Sequence, residues 1–327
     1  MSVTEQDVLR LVKLAKKWVK STTGQFSAFV FGKELGIENT EFRDRLLSDF
    51  RDDRLIEPVG MKNGFYRLVN KRPEPMNWIE ASTSPYPIWL PLNLHRMAEF
   101  SPQNVICIQG ESNSGKTDLG MRIAFHNLRQ NGGCHDSIEY FTCELSPKEV
   151  RKRTAFMGQP DKWQGFNVYP WYENYHDVID PDGFNVIDYL EVIGDFWNMG
   201  RFIDLIHQRL RNGIAIVLTQ KGKNSEYGVG GQFSNHRARL TITVGYSKET
   251  HLRTATIVKC KDPIDDRSHP DGMQLDYRFN RGHLEIVHPW AHITEEQRKA
   301  RDKVASQRVR EIEAYNNSQL ANQELRI

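Results

Sequence analysis

The sequence predicts an α/β protein: a mostly parallel sheet covered by helices on both faces, preceded by a small helical domain and followed by a charged C-terminal helix. Three observations lead there. Gly110-Glu111-Ser112-Asn113-Ser114-Gly115-Lys116-Thr117 fits the phosphate-loop pattern G-x-x-x-x-G-K-[ST], between an apolar strand (104–109) and a helical pattern (118–125). Apolar runs of strand length alternate with helical periods from Pro87 to about Pro289, the mark of a doubly covered sheet. Residues 4–69 hold three helical periods and then a hairpin signal.

In the first segment Thr4-Glu5-Gln6-Asp7 reads as a capping box. Val8, Leu11, Val12, Ala15, Trp18 and Val19 then recur at helical spacing. A second helix fits 27–35, ended by Gly36, and a third fits 40–53, with Phe42, Leu46, Leu47 and Phe50 on one face. Asn63-Gly64 between the apolar runs 55–59 and 65–69 is a strong hairpin signal. Three helices and a hairpin over residues 1–70 resemble a winged helix-turn-helix domain. The resemblance makes the third helix the DNA-reading one, with Arg43, Arg45 and Arg51, and puts Lys62 and Arg67 on the wing. The same helix carries Glu41, Asp44, Asp49, Asp52 and Asp53, and such domains also bind proteins. Residues 71–86, with Pro73, Pro75 and Pro85, read as a linker.

The phosphate loop carries the most chemistry. Gly110 and Gly115 let the backbone curl so that successive N–H groups face phosphate oxygens, and the following helix adds its positive end. Lys116 reaches the outer phosphates and the Thr117 hydroxyl suits Mg²⁺. The loop from Gly110 to Asp118 is therefore expected to bind ATP. Glu144 ends the apolar strand 139–143, where a carboxylate can orient and deprotonate an attacking water. The competing role for Glu144 is to cap the helix opened by Ser146-Pro147. Asp188 ends the strand 184–188 and is the expected second Mg²⁺ residue, ahead of Asp180, Asp182 and Asp195. Gln220 ends the strand 213–220, placed to sense γ-phosphate or water. The glycine-rich stretch 221–235 beyond it carries Lys221, Lys223 and Asn224.

The chain has 327 residues and a formal net charge of +2, so any nucleic-acid surface is local rather than global. Its four cysteines are widely spaced, which speaks for a reducing compartment and against structural zinc. Cys107 and Cys143 read as core fillers. No run has the length of a membrane span, so a soluble, cytoplasmic protein is expected.

From Pro87 to Trp290 these motifs resemble the RecA superfamily of ATPases, which includes RecA, RadA and the DnaB-type helicases. Leu90-Pro91-Leu92-Asn93-Leu94 is similar to the family's lead-in. Glu144-Leu145-Ser146 with Arg153 resembles the helicase Glu-Met-Ser motif and its arginine. Ile187-Asp188-Tyr189-Leu190 and Thr219-Gln220 are similar to the Walker B strand and the strand-end glutamine. Gly230-Gly231 followed by 236–240, with Arg237, is more like RecA's loop for single-stranded DNA. Val258-Lys259-Cys260-Lys261 resembles the paired RecA lysines that enter a neighbour's ATP site. The resemblance implies a RecA-like ATPase at 87–290, with a charged helix or tail at 291–327. It implies ATP and Mg²⁺ as ligands, and a homo-oligomer, filament or ring, in recombination, repair or replication. DNA would be held single-stranded by the ATPase loop (Lys221, Lys223, Asn224, Arg237) and double-stranded by the winged helix. Two alternatives stay open: a hexameric helicase, and an ATP-switched, DNA-bound regulator or recruiter of partner proteins.

Overall fold

A computed structural model describes residues 5–60, 64–70, 74–190, 199–221, 237–265, 267–280 and 282–324, with backbone alone for residues 5 and 316–324. The chain forms two compact units, Met1–Ser82 and Thr83–Ile327.

The first unit runs α1 (Glu5–Ser21), β1 (Gln25–Ser27), α2 (Ala28–Glu34), α3 (Thr40–Asp52), β2 (Ile56–Pro58) and β3 (Phe65–Leu68). Ser27 and Asn39 start α2 and α3, their side chains accepting from the Val30 and Phe42 amides at 3.1 and 3.0 Å. Ala15, Val19, Phe31, Leu47 and Phe50 close on one core. The strands lie in the antiparallel order β1-β3-β2. A hairpin alone was expected; β1 is too short to show alternation. Thr4, expected in a capping box, and Lys62, expected on a wing, lie outside the described residues.

The second unit is built on one nine-stranded sheet. Its elements are β4 (Val105–Gly110), α4 (Lys116–Asn127), β5 (Ile138–Thr142), α5 (Pro147–Thr154), β6 (Phe166–Pro170), α6 (Tyr175–Val178), β7 (Phe184–Asp188), α7 (Met199–Arg209), β8 (Ile214–Gln220), β9 (Ala238–Tyr246), β10 (Arg253–Cys260), β11 (Gln274–Asn280), β12 (His283–Ala291) and α8 (Glu295–Glu324). The order is β12-β11-β10-β9-β4-β8-β7-β5-β6. Strands β4 to β9 pair in parallel, and β9 to β12 form an antiparallel meander. The expected mostly parallel sheet is present. The antiparallel third departs from the expected strand–helix alternation, because a buried strand reads equally apolar in either pairing.

Helices cover both faces. Ile106 and Ile108 of β4 join Leu119, Ile123 and Ala124 of α4 on one face; Val105 and Cys107 join Met199, Ile203 and Ile206 of α7 on the other. This is the two-residue period of a strand buried on both sides. Each of the Ile, Leu, Val and Met side chains contributes about 1.5–3 kcal/mol on burial. Cys107 is buried as expected, whereas Cys143 is only half-buried. No helix among the described residues is long and apolar enough to cross a membrane.

Parallel pairing brings the ends of β4, β5, β7 and β8 to one edge. In register, Gly110 lies beside Gln220 and Thr142 beside Asp188. The antiparallel turn at β9–β10 places Arg253 opposite Tyr246 at that same edge, and β11 brings Tyr277 opposite Arg253.

Candidate nucleotide site

At this edge lies a cavity of about 550 Å³, walled by Ser112, Asn113, Gly115, Lys116, Thr117 and Asp118 from the loop and α4. Glu144, Arg153, Gln220 and Arg253 complete the polar wall, and Phe156, Tyr189, Phe279 and Gly282 the rest. The loop turns through Asn113 (φ 62°) and Gly115 (φ 95°) before α4 begins. Lys116 Nζ donates to the carbonyls of Gly110 (2.9 Å) and Glu111 (2.8 Å). Burial lowers its pKa, against the pull of Asp188, Glu144 and Glu111. Ser114 Oγ is buried and has no hydrogen-bond partner.

Thr117 Oγ1 donates to Asp188 Oδ1 at 3.1 Å, so the loop threonine and the strand-end acid meet. Tyr140 OH donates to the other carboxylate oxygen at 2.6 Å. Asp188 is 1% exposed. Burial raises its pKa to about 6; the bonds from Tyr140 and Thr117 work against that rise. A cation bound here restores the charge balance that burial removes. Among the described residues no three His, Cys, Asp or Glu gather as metal ligands. A Mg²⁺ at Thr117 and Asp188 would therefore complete its shell with phosphate and water oxygens. The orphaned Ser114 hydroxyl, the lysine with a donor to spare and the cavity volume fit a nucleoside triphosphate with that ion.

The capping role considered for Glu144 belongs to Glu149. Ser146 caps α5, accepting from the Glu149 amide, and the Glu149 side chain accepts from the Ser146 amide at 2.9 Å. Glu144, two residues before the cap, is left to face the cavity.

Arg253 carries no sequence signal. Its Nε donates to the Ser114 carbonyl at 3.1 Å, and its guanidinium lies 4.6 and 4.9 Å from the Phe279 and Tyr246 ring centroids. Arg122 pairs with Asp118 at 2.7 Å and donates to the Gly282 carbonyl, holding α4 against the β11–β12 turn. Tyr140 was equally illegible, being one more apolar residue in a strand.

Lys259 and Lys261 lie elsewhere. Lys259 is six residues along β10 from Arg253, about 20 Å, and the strand bulges between Ile257 and Lys259. Burial and then Lys261 lower the Lys259 pKa. Lys221 sits at the phosphate-loop end, its amide donating to the Gly110 carbonyl at 2.9 Å. Arg237 precedes β9 at the opposite end and pairs with Asp204 at 2.5 Å. Lys223 and Asn224 lie outside the described residues. In the first unit Arg43 is half-buried and bonded to Asp44 at 2.8 Å, while Arg45 is exposed.

No family model and no curated protein matches the chain. Among solved structures it is similar to the RadB recombinase, at 16% identity over 58% of this chain and 93% of that one, with a TM-score of 0.43. It is also similar to a KaiC-like protein from the hyperthermophilic archaeon Pyrococcus horikoshii, at 14% identity over 62% and 99%, with a TM-score of 0.44.

Proposed function

We propose that this chain is a RecA-like ATPase that binds MgATP in the cavity around Lys116 and hydrolyses it. The observation that carries the reading is the Thr117–Asp188 bond, which joins the phosphate loop to the end of β7. Bound Mg²⁺ would neutralise phosphate charge. Loop amides and Lys116 hold the phosphates, Glu144 takes the proton of the attacking water, and Gln220 reads the outer phosphate. Lys116→Ala is expected to abolish nucleotide binding and turnover without unfolding the protein. Glu144→Gln is expected to keep binding and lose turnover. Normal hydrolysis by Lys116→Ala would place the site elsewhere; normal hydrolysis by Glu144→Gln would place the base elsewhere.

The reading extends to a homo-oligomer acting on DNA in recombination, repair or replication. Lys259 and Lys261, too far along β10 to serve their own phosphate loop, are read as completing a neighbour's. Lys221, whose amide donates to the Gly110 carbonyl, is read as linking bound DNA to nucleotide. A second reading has its own observation. Arg253 brings a cation to the phosphate loop from the same chain, so turnover need not wait for assembly. That suits an ATP-switched, DNA-bound regulator. Turnover per subunit that climbs with protein concentration favours the oligomer; turnover that stays flat favours the switch.

A further inference from the structure

Strand β6 is the free edge of the large sheet; among the described residues nothing pairs with its outer side. Beside it opens a second cavity, of about 340 Å³, lined by Glu139, Phe141, Tyr169, Trp171, Val178 and Asp180. The strand period explains its composition. Ile138 and Tyr140 turn into the core beneath α4, so Glu139 and Phe141 face the other way. Register then sets Asn167 beside Glu139 and Tyr169 beside Phe141. The Phe141 and Tyr169 rings stack at 5.2 Å, and the Asn167 amide donates to Glu139 at 3.0 Å. Tyr169 and Trp171 remain 40% and 38% exposed, large values for aromatic residues at a cavity wall.

The charges are equally unusual. Nearby Asp136 and Asp182 each hold an arginine, Arg129 and Arg211. Glu139 and Asp180 have no Lys or Arg partner among the described residues. The cavity thus offers ring faces and two carboxylates without a cation, which is the complement of a guanidinium or ammonium group. A free strand edge borders it, and an extended segment paired there turns every second side chain towards the cavity face.

We propose that this edge binds an extended basic segment of a partner protein, with an arginine or lysine side chain seated between the Tyr169 and Trp171 rings and the Glu139 and Asp180 carboxylates. The site is separate from the phosphate loop and does not depend on nucleotide chemistry.

The test is a titration of the full-length protein with a fluorescently labelled pentapeptide of alternating valine and arginine, beside the same peptide with citrulline for arginine. Saturable binding of the arginine peptide is expected, with the citrulline peptide about tenfold weaker or more. Glu139→Gln and Asp180→Asn should each weaken the arginine peptide about tenfold and leave the citrulline peptide unchanged. Glu139→Gln keeps an oxygen for Asn167, and a thermal melt of each variant checks the fold. Absence of saturable binding up to about a millimolar, equal affinity for the two peptides, or unchanged affinity in the double variant would overturn the proposal. Free arginine amide binding as tightly as the peptide would overturn the strand-edge docking.

Discussion

Adding one methyl group at Gly115 tests how the phosphate loop is covered. Gly115 has φ 95°, and a Cβ there would stand 2.8 Å from the Phe279 ring and 3.1 Å from Arg253 Nε. Two costs arise. Left-handed backbone costs a non-glycine residue about 1–2 kcal/mol. Overpacking against a ring adds about 1–3 kcal/mol, since Phe279 is itself held between Arg253 and Tyr277. Gly115→Ala should therefore lose about 2–5 kcal/mol. Gly132 supplies the control: φ is 89° and nothing lies within 4 Å of its would-be Cβ. Gly132→Ala should lose only the backbone part, about 1–2 kcal/mol. Urea unfolding of the two variants at equal protein concentration separates the terms, and fluorescent-ATP binding reports the site. Gly115→Ala should bind nucleotide poorly even where still folded, because the displaced ring and arginine line the cavity. Equal stability losses in the two variants, with normal nucleotide binding in Gly115→Ala, would refute the cover of Phe279 and Arg253 over the loop.

Two further outcomes are expected. Asp276 is 1% exposed and accepts from Arg298 (2.7 Å) of α8, from Thr254 and from His288; burial pushes its pKa up, but Arg298 and Thr254 outweigh burial and hold it below the ordinary value. A depressed carboxyl stabilises the fold above its unfolded pKa, near 3.9, and that stability is lost as pH falls through the folded value. Hydrogen exchange in the first turns of α8 should rise as pH is lowered through that range, and Asp276→Asn should reproduce the rise at pH 7 at a cost of about 3 kcal/mol; protection unchanged in Asp276→Asn would remove the anchor. If single-stranded DNA lies along the ATPase loop, Lys221→Ala should flatten the log–log salt dependence of binding by about one unit, whereas Arg45→Ala should leave it alone; the reverse pattern would move the DNA to the first unit.

What the sequence made legible is local. The strand–loop–helix around Lys116, the acid at the end of 184–188 and the glutamine at the end of 213–220 each follow from a short pattern whose geometry is fixed by neighbouring residues. The N-terminal helices were legible for the same reason, through a helical apolar period, whereas their Ser27 and Asn39 caps appear only in the structure. What stayed hidden depends on pairing. Strand β1 has three residues and cannot show a period. Strands β10 and β11 read as apolar in either direction, so nothing in them announces that an antiparallel turn carries Arg253 and Phe279 to the phosphate loop. The role of Glu144 was open for a different reason: it stands two residues before a helix start at Ser146-Pro147, and only the capping geometry shows that Glu149 takes the bonds to Ser146.

Strand β10 joins these observations. It is bonded on both sides, to β9 and β11, so its length and twist are set by the sheet. Its first residue, Arg253, lies on the phosphate loop. The next, Thr254, faces the opposite side and donates to Asp276 at 2.7 Å, where Arg298 of α8 also binds. At its far end, past the bulge at Ile257, stand Lys259 and Lys261. Alternation and rise place these three positions on two faces and at two ends of one strand. A nucleotide that displaced Arg253 from the Ser114 carbonyl would therefore act on an element that also carries the α8 anchor and the distant lysines. Coupling through such an element needs two discrete arrangements, not a continuous flex. Among the described residues, the bulge between Ile257 and Lys259 is the one irregularity in the pairing of β10 with β9. Its extra residue is Val258, because Ile257 stands opposite Ile242 and Lys259 opposite Thr241; deleting Val258 would keep Lys259 on the Thr241 face and leave Arg253 in place, and so test whether the bulge itself bears on nucleotide binding.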